Sequence, residues 1–108
     1  MTDRTRLPNR RACEHFNFSC NGLRYTASIG RFPDGSLAEI FVSNAKAGSH
    51  SDAAAKDAAV VCSIALQHGV PVETIRHALL RDPRGVASSP LGAALDLIGE
   101  INSKKGET

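Results

Sequence analysis

The stretch SDAAAKDAAVVCSIALQHG, residues 51–69, contains the longest apolar segment of the chain. Its centre, residues 58–66, is apolar almost all the way round a helix, as in an element that is covered on more than one side. A buried strand could have this composition too, but an N-cap at Ser51 or Asp52 and a C′ glycine at Gly69 give about 18 residues, the length of a helix. We predict a central helix, covered by a sheet on one side and by other helices or a second subunit on the other.

Three short strands are predicted before this helix. Residues 14–20 and 23–29 alternate apolar and polar side chains, and Asn21-Gly22 between them is typical of a type I′ hairpin turn, whose two central positions need positive φ. A Pro-Asp-Gly turn then leads into a third strand over residues 37–43. Three antiparallel strands have one apolar face to cover, and the central helix is the next element along the chain.

Two further helices are predicted after the central one. Pro71 suits the first turn of a helix, because its missing N–H would be unpaired there in any case. Ser88-Ser89-Pro90 has the pattern of an N-cap followed by proline at the first helical position. We therefore expect an α+β fold, a three-stranded antiparallel meander packed against a central helix plus two further helices.

The length of 108 residues fits one domain, because two pieces would each be too small to bury a core. We predict a disordered basic arm at residues 1–12, the domain at 13–99 and a polar tail at 100–108. The net charge of +2 argues against a nucleic-acid partner, since such domains carry a dense basic surface. The absence of a signal peptide and of a long apolar run predicts a cytoplasmic protein without a membrane partner, and the three cysteines are predicted to be free thiols.

The loop between the third strand and the central helix is the candidate ligand site. Lys46, Gly48 and Ser49 are residue types that bind phosphate, and they precede a helix N-terminus, whose free N–H groups attract anions. The order is not that of a P-loop, because the lysine precedes the glycine. The competing interpretation is that serine and aspartate in this segment only cap the helix. The residues predicted to bind an anion are Arg31, Asn44, Lys46, Gly48, Ser49 and His50.

Metal binding and catalysis find little support in the sequence. Cys13, His15 and Cys20 are close together, but His15 and Cys20 face opposite sides of a strand and no second ligand pair follows at zinc spacing. Cys62 is expected to act as a small apolar side chain in the central helix, and Ser63 to bond the carbonyl four residues earlier. No motif joins a histidine or a carboxylate to a nucleophile. We predict no metal, no cofactor and no catalysis by the chain alone.

Several segments of the chain occur in a distinctive order. They are LRYTASIGRFPDG at 23–35, AEIFVS at 38–43, KAGS at 46–49 and SIALQHGVP at 63–71. This order resembles the TSCPD domain, found near the C-terminus of adenosylcobalamin-dependent (class II) ribonucleotide reductases and in short standalone bacterial proteins, over roughly residues 7–98. Where that family has its Thr-Ser-Cys-Pro-Asp segment, this chain has ASSPL at 87–91. Only Ser88 and Pro90 match, so no role of the family's Cys or Asp carries over.

The resemblance implies an ancestry in deoxyribonucleotide synthesis, with cobalamin and nucleotide as ligands of the parent enzyme. It does not imply ribonucleotide reduction by this chain, since that reaction needs a large barrel with a thiyl-forming cysteine, a redox cysteine pair and the cofactor. We expect a non-catalytic accessory or interaction module whose partner is a second copy, a nucleotide or a reductase-type protein. The alternatives are a nucleotide- or phosphate-binding module using residues 44–51, and a nucleic-acid binder using the N-terminal arginines, Arg4, Arg6, Arg10 and Arg11.

Overall fold

The computed structural model describes residues 13–106, with side chains for residues 13–100. Three strands come first and three helices follow: β1 (Cys13–Cys20), β2 (Leu23–Arg31), β3 (Leu37–Asn44), α1 (His50–Gln67), α2 (Val72–Ala78) and α3 (Pro90–Gly106). The strands form one antiparallel sheet in the order β1-β2-β3. The predicted α+β meander is confirmed. The predicted basic arm, residues 1–12, lies outside the described residues, and α3 includes the first part of the predicted polar tail.

The hairpin between β1 and β2 has the predicted turn. Asn21 and Gly22 have φ values of 52° and 78°, as the two central positions of a type I′ turn require. The turn places Cys20 opposite Leu23, and the pairing continues without a break along β1. Gly35, with φ 91°, occupies the second turn. Local turn chemistry therefore sets the register of the sheet.

The two faces of the sheet differ in polarity, because side chains alternate along each strand. The buried side chains of the inner face are Cys20, Tyr25, Ala27, Ile29, Ile40 and Val42. On the outer face, His15 Nδ1 lies 2.8 Å from the Ser28 hydroxyl, and Thr26 donates to Asn17 at 2.8 Å. Phe41 also lies on this face and is 49% exposed. The inner face therefore holds the core.

Helix α1 lies along the free edge of β3, and side chains of α1 form hydrogen bonds with the backbone of β3. The Ser63 hydroxyl accepts the N–H of Ile40 at 2.9 Å and donates to the carbonyl of the same residue at 2.9 Å. Gln67 donates to the carbonyl of Ala38 at 3.1 Å. The prediction that Ser63 bonds within its own helix is wrong, because the buried edge of β3 offers backbone groups that need partners.

The apolar centre of α1 is covered on one side only. Ala55, Ala59, Cys62 and Leu66 are buried. On the opposite side, Val60 is 48% exposed, Val61 68% and Ile64 39%. Their spacing places these three side chains on one face of the helix. Other described helices of the same molecule therefore do not cover this side of α1, and the alternative, cover by a second subunit, stays a prediction.

Both ends of α1 are capped, but its start differs from the prediction. The N-cap is Ser49, whose hydroxyl accepts the N–H of Asp52 at 3.1 Å, rather than Ser51 or Asp52. The sequence signal for this start is the Ser-x-x-Asp spacing of Ser49 and Asp52. The capping box is only half formed, because the N–H of Ser49 donates to the carbonyl of Lys46 instead of to Asp52. At the other end, Gly69 has φ 91° and the N–H of Val70 donates to the carbonyl of Ala65 at 3.1 Å, as in a Schellman motif.

Helix α3 completes the core, and α2 is held beside it by an ion-pair cluster. Over residues 90–100, the buried residues of α3 are Leu91, Gly92, Ala94, Leu95 and Ile98. Asp96 of α3 accepts Arg76 Nε at 2.7 Å and Arg81 Nη1 at 2.7 Å. The Ser89 hydroxyl accepts the N–H of Gly92 at 3.2 Å, which confirms the predicted cap of this helix.

Candidate functional site

The loop between β3 and α1, residues 44–51, is closed around the carboxylate of Asp52. Asp52 Oδ1 accepts the N–H of Asn44 at 3.0 Å, and Oδ2 accepts the N–H of Gly48 at 3.0 Å. Lys56 Nζ, one helical turn further on, lies 2.9 Å from the same Oδ2. Asp52 itself is buried, with 2% of its surface exposed. An internal anion therefore occupies the N–H groups beside the positive end of the α1 dipole.

The other predicted residues of the loop have different surroundings. Ser49 donates to the carbonyl of Lys46 at 2.8 Å, and Asn44 Oδ1 accepts the N–H of Lys46 at 2.8 Å. Asn44 Nδ2 is buried and has no hydrogen-bond partner among the described residues. Lys46 and His50 are exposed. The loop is thus held by its own side chains, and Lys46 and His50 are the groups that an external anion would meet.

Arg31 lies at the opposite end of the sheet from this loop. It pairs with Leu37 at the start of β3, whereas Asn44 is at the end of β3. Seven residues of strand separate the two positions by about 23 Å. Arg31 Nε lies 2.7 Å from Glu14 Oε2, and Nη1 donates to the carbonyl of Gly35 at 3.0 Å. The structure does not bring Arg31 together with the rest of the predicted anion site.

The arrangement of the loop limits what it can bind. A phosphate could contact Lys46 and His50 directly, but it could use the N–H groups of Asn44 and Gly48 only if Asp52 released them. The predicted anion site stays a prediction. Sequence reasoning named the loop and gave Asp52 only as a helix cap, and it missed that Asp52 accepts the loop amides of Asn44 and Gly48.

Acid unfolding is expected to take up protons at Asp52 and Asp96. The N–H of Gly48, then the Lys56 ammonium, lower the pKa of Asp52 to about 2. Hydrogen bonds from Arg81 and Arg76 lower the pKa of Asp96 to about 2. Because both values lie below the ordinary 3.8, the stabilisation is complete above pH about 4 and is lost as the pH falls toward 2.

The measurement is the free energy of unfolding in urea at a series of pH values from about 6 to 2. Below pH 4, we expect the slope of the unfolding free energy against pH to correspond to the uptake of about two protons on unfolding. In Asp52→Asn and in Asp96→Asn, the slope should correspond to about one proton fewer. Equal slopes in the wild-type protein and in both variants would contradict the assignment.

The three cysteines are free thiols in surroundings unlike those of a nucleophile. Cys13 is exposed, and Cys20 and Cys62 are buried. Burial raises the pKa of Cys20, and raises that of Cys62 to about 11, the direction opposite to thiol activation. Over the described residues, no group of three His, Cys, Asp or Glu side chains could hold a metal ion. None of the described helices combines the length and the apolarity that a membrane span requires.

The geometry defines a small α+β domain whose best candidate site is a helix-capping loop closed on its own carboxylate. The family model of the TSCPD domain matches residues 5–101. The chain belongs to the TSCPD domain family, which confirms the resemblance seen in the sequence.

Two relatives are similar to part of this chain. The vitamin B12-dependent ribonucleotide reductase of Rhodopirellula baltica is 38% identical over 72 residues, which is 67% of this chain and 7% of the relative. The vitamin B12-dependent ribonucleotide reductase of Agrobacterium fabrum is 35% identical over 71 residues, 66% of this chain and 6% of the relative. The chain therefore matches only a small part of the length of either relative. No solved structure matches the chain.

Proposed function

We propose that this chain is a non-catalytic interaction module of deoxyribonucleotide metabolism, related to the C-terminal domain of ribonucleotide reductase. The observation that carries the proposal is the loop at residues 44–51, whose N–H groups at Asn44 and Gly48 are bonded to Asp52. A loop closed on its own carboxylate acts as a cap for α1, and its amides at Asn44 and Gly48 are already occupied and are not open to a nucleotide. The chain then acts through surface contacts with other proteins.

The relatives support a reductase as one such partner. Both are named vitamin B12-dependent ribonucleotide reductases, and this chain matches 7% and 6% of their lengths. A cobalamin radical enzyme holds its cofactor, substrate and reactive thiols within a much larger structure than 108 residues can form. We propose that this chain assists a reductase of that type and does not perform its reaction.

The backbone amides of residues 45–53 are expected to stay unchanged when nucleoside di- and triphosphates are added to millimolar concentration. The reason is that Asp52 already bonds the loop amides of Asn44 and Gly48. The measurement is an NMR titration of the ¹⁵N-labelled full chain, repeated with Lys46→Ala and with Arg84→Ala. Arg84 is also exposed, so its variant is a control for the loss of one positive charge elsewhere.

Saturable shifts at residues 45–53 that vanish in Lys46→Ala and persist in Arg84→Ala would contradict the proposal. They would favour the alternative, a nucleotide- or phosphate-binding module at this loop. A second titration uses the purified Agrobacterium fabrum reductase. Broadened amide signals at tens of micromolar would support a reductase partner, and unchanged signals would count against it. Nucleic-acid binding by the N-terminal arginines concerns residues outside the described part of the chain and stays a prediction.

A further inference from the structure

An exposed apolar surface runs along the outer side of α1. We call it the α1 stripe, and it consists of Val60, Val61 and Ile64 of α1 with Phe41 of β3. Their exposed fractions are 48%, 68%, 39% and 49%. Phe41 and Val60 line the same surface depression, so the stripe continues from the helix onto the sheet. A contiguous apolar patch of this kind marks an interaction site more often than scattered exposed side chains do.

The size of the stripe is that of an interface core. Its exposed surface is equivalent to about two whole large apolar side chains, or roughly 350 Å² at about 150–250 Å² for each. A stable protein interface buries about 800 Å² on each partner, of which about 56–65% is apolar. The stripe therefore supplies most of the apolar area that such an interface needs.

We propose that a second copy of this chain covers the α1 stripe, with the two α1 helices antiparallel about a two-fold axis. A two-fold interface must be complementary to itself, and the α1 sequence meets this requirement. When the axis passes midway between Val61 and Ile64, each Val61 faces Ile64 of the partner. The same symmetry places Asp57 opposite His68 of the partner, because the two residues are equally far from that midpoint along the helix.

Charge favours this antiparallel arrangement over a parallel one. Asp57 is exposed near the N-terminal end of the stripe, and His68 follows its C-terminal end. A parallel pair would place Asp57 against Asp57 and align the two helix dipoles. An antiparallel pair opposes the dipoles and brings a carboxylate to an imidazole at each end.

This inference names one partner for the interaction module proposed above, and it is tested separately from the nucleotide and reductase titrations. Sedimentation equilibrium of the full chain is expected to give twice the 11.4 kDa of the monomer as the concentration rises into the hundreds of micromolar. Val61→Asp is expected to raise the dimer dissociation constant by at least about 100-fold, because it buries an unpaired charge in the interface. Leu80→Asp, at a residue 73% exposed outside the stripe, is the matched control.

The orientation is tested by exchanging charges. His68→Asp is expected to weaken the dimer, because it places two carboxylates opposite one another. Asp57→Arg is expected to weaken it as well, because it removes the carboxylate that faces the imidazole. The dimer dissociation constant of the double variant is expected to be at least about tenfold lower than that of either single variant, since opposite charges again face each other. Far-UV circular dichroism checks that every variant is folded.

Three results would overturn the proposal. The first is a wild-type chain that stays monomeric at all concentrations, which would mean that the α1 stripe binds another protein and not a second copy. The second is a dimer that resists Val61→Asp and is lost in Leu80→Asp, which would place the interface elsewhere. The third is a double variant no tighter than the single ones, which would exclude the antiparallel pairing.

Discussion

Replacing Ser63 with alanine is expected to lower the free energy of unfolding by about 2–6 kcal/mol. The Ser63 hydroxyl satisfies both the N–H and the carbonyl of Ile40, each at 2.9 Å, and Ile40 is 0% exposed. Losing the hydroxyl leaves two buried backbone groups without partners, at about 1–3 kcal/mol each. This is a large share of the roughly 5–15 kcal/mol that holds a domain folded. The measurement is the urea midpoint at constant m value.

Ser19→Ala is the matched control for that substitution. Ser19 is exposed on the outer face of β1, so removing its hydroxyl should change the stability by less than about 0.5 kcal/mol. Equal midpoints for Ser63→Ala and Ser19→Ala would mean that the bonds from α1 to the β3 edge contribute nothing measurable to stability.

Leu95→Ala is expected to destabilise the chain by about 2–5 kcal/mol. Leu95 is 2% exposed in α3 and belongs to the hydrophobic core cluster that joins α1 and α3 to the sheet. Removing its buried methyl groups loses their transfer free energy and leaves a cavity that the rigid sheet cannot fill. Urea unfolding of the full-length variant measures the loss, with circular dichroism to confirm a folded starting state.

Leu80→Ala provides the same chemical change on the surface. Leu80 is 73% exposed, so its truncation should cost less than about 0.5 kcal/mol. If Leu95→Ala were no more destabilising than Leu80→Ala, α3 would be an appendage to the domain rather than part of its core.

Most of the fold follows from local signals in the sequence. Asn21-Gly22 requires a type I′ turn, and the alternation on either side of it requires two paired strands. Gly69 and the Ser89-Pro90 pair mark helix ends through backbone chemistry that acts within a few residues. These signals needed no knowledge of the rest of the chain, and the structure confirms each of them.

The features that sequence reasoning missed depend on contacts between distant parts of the chain. Ser63 bonds Ile40, 23 residues away, and nothing near either residue indicates the pairing. The exposure of Val61 could not be predicted either, because an apolar run shows that a helix can be buried and not which of its faces has a neighbour. Only the placement of α1 along β3 decides that the opposite side remains open.

In the candidate site too, the local features were predicted and the contacts between distant residues were missed. Lys46, Gly48 and Ser49 do lie together, because they are neighbours in one loop. Arg31 was grouped with them on charge alone, and strand length separates it from them. The role of Asp52 was partly visible, since a serine three residues earlier is a capping signal, but its two bonds to loop amides depend on how the loop folds back.

Because α1 covers the free edge of β3, it also limits aggregation by strand addition. A sheet polymerises into a filament only when both of its edges can accept a strand from the next molecule. Here Ser63, Gln67 and Asp52 occupy backbone groups along the β3 edge, so strand addition is confined to the β1 side. Joining two sheets through β1 would bury that edge in both molecules and leave no site for a third. Growth by strand addition therefore terminates at two chains.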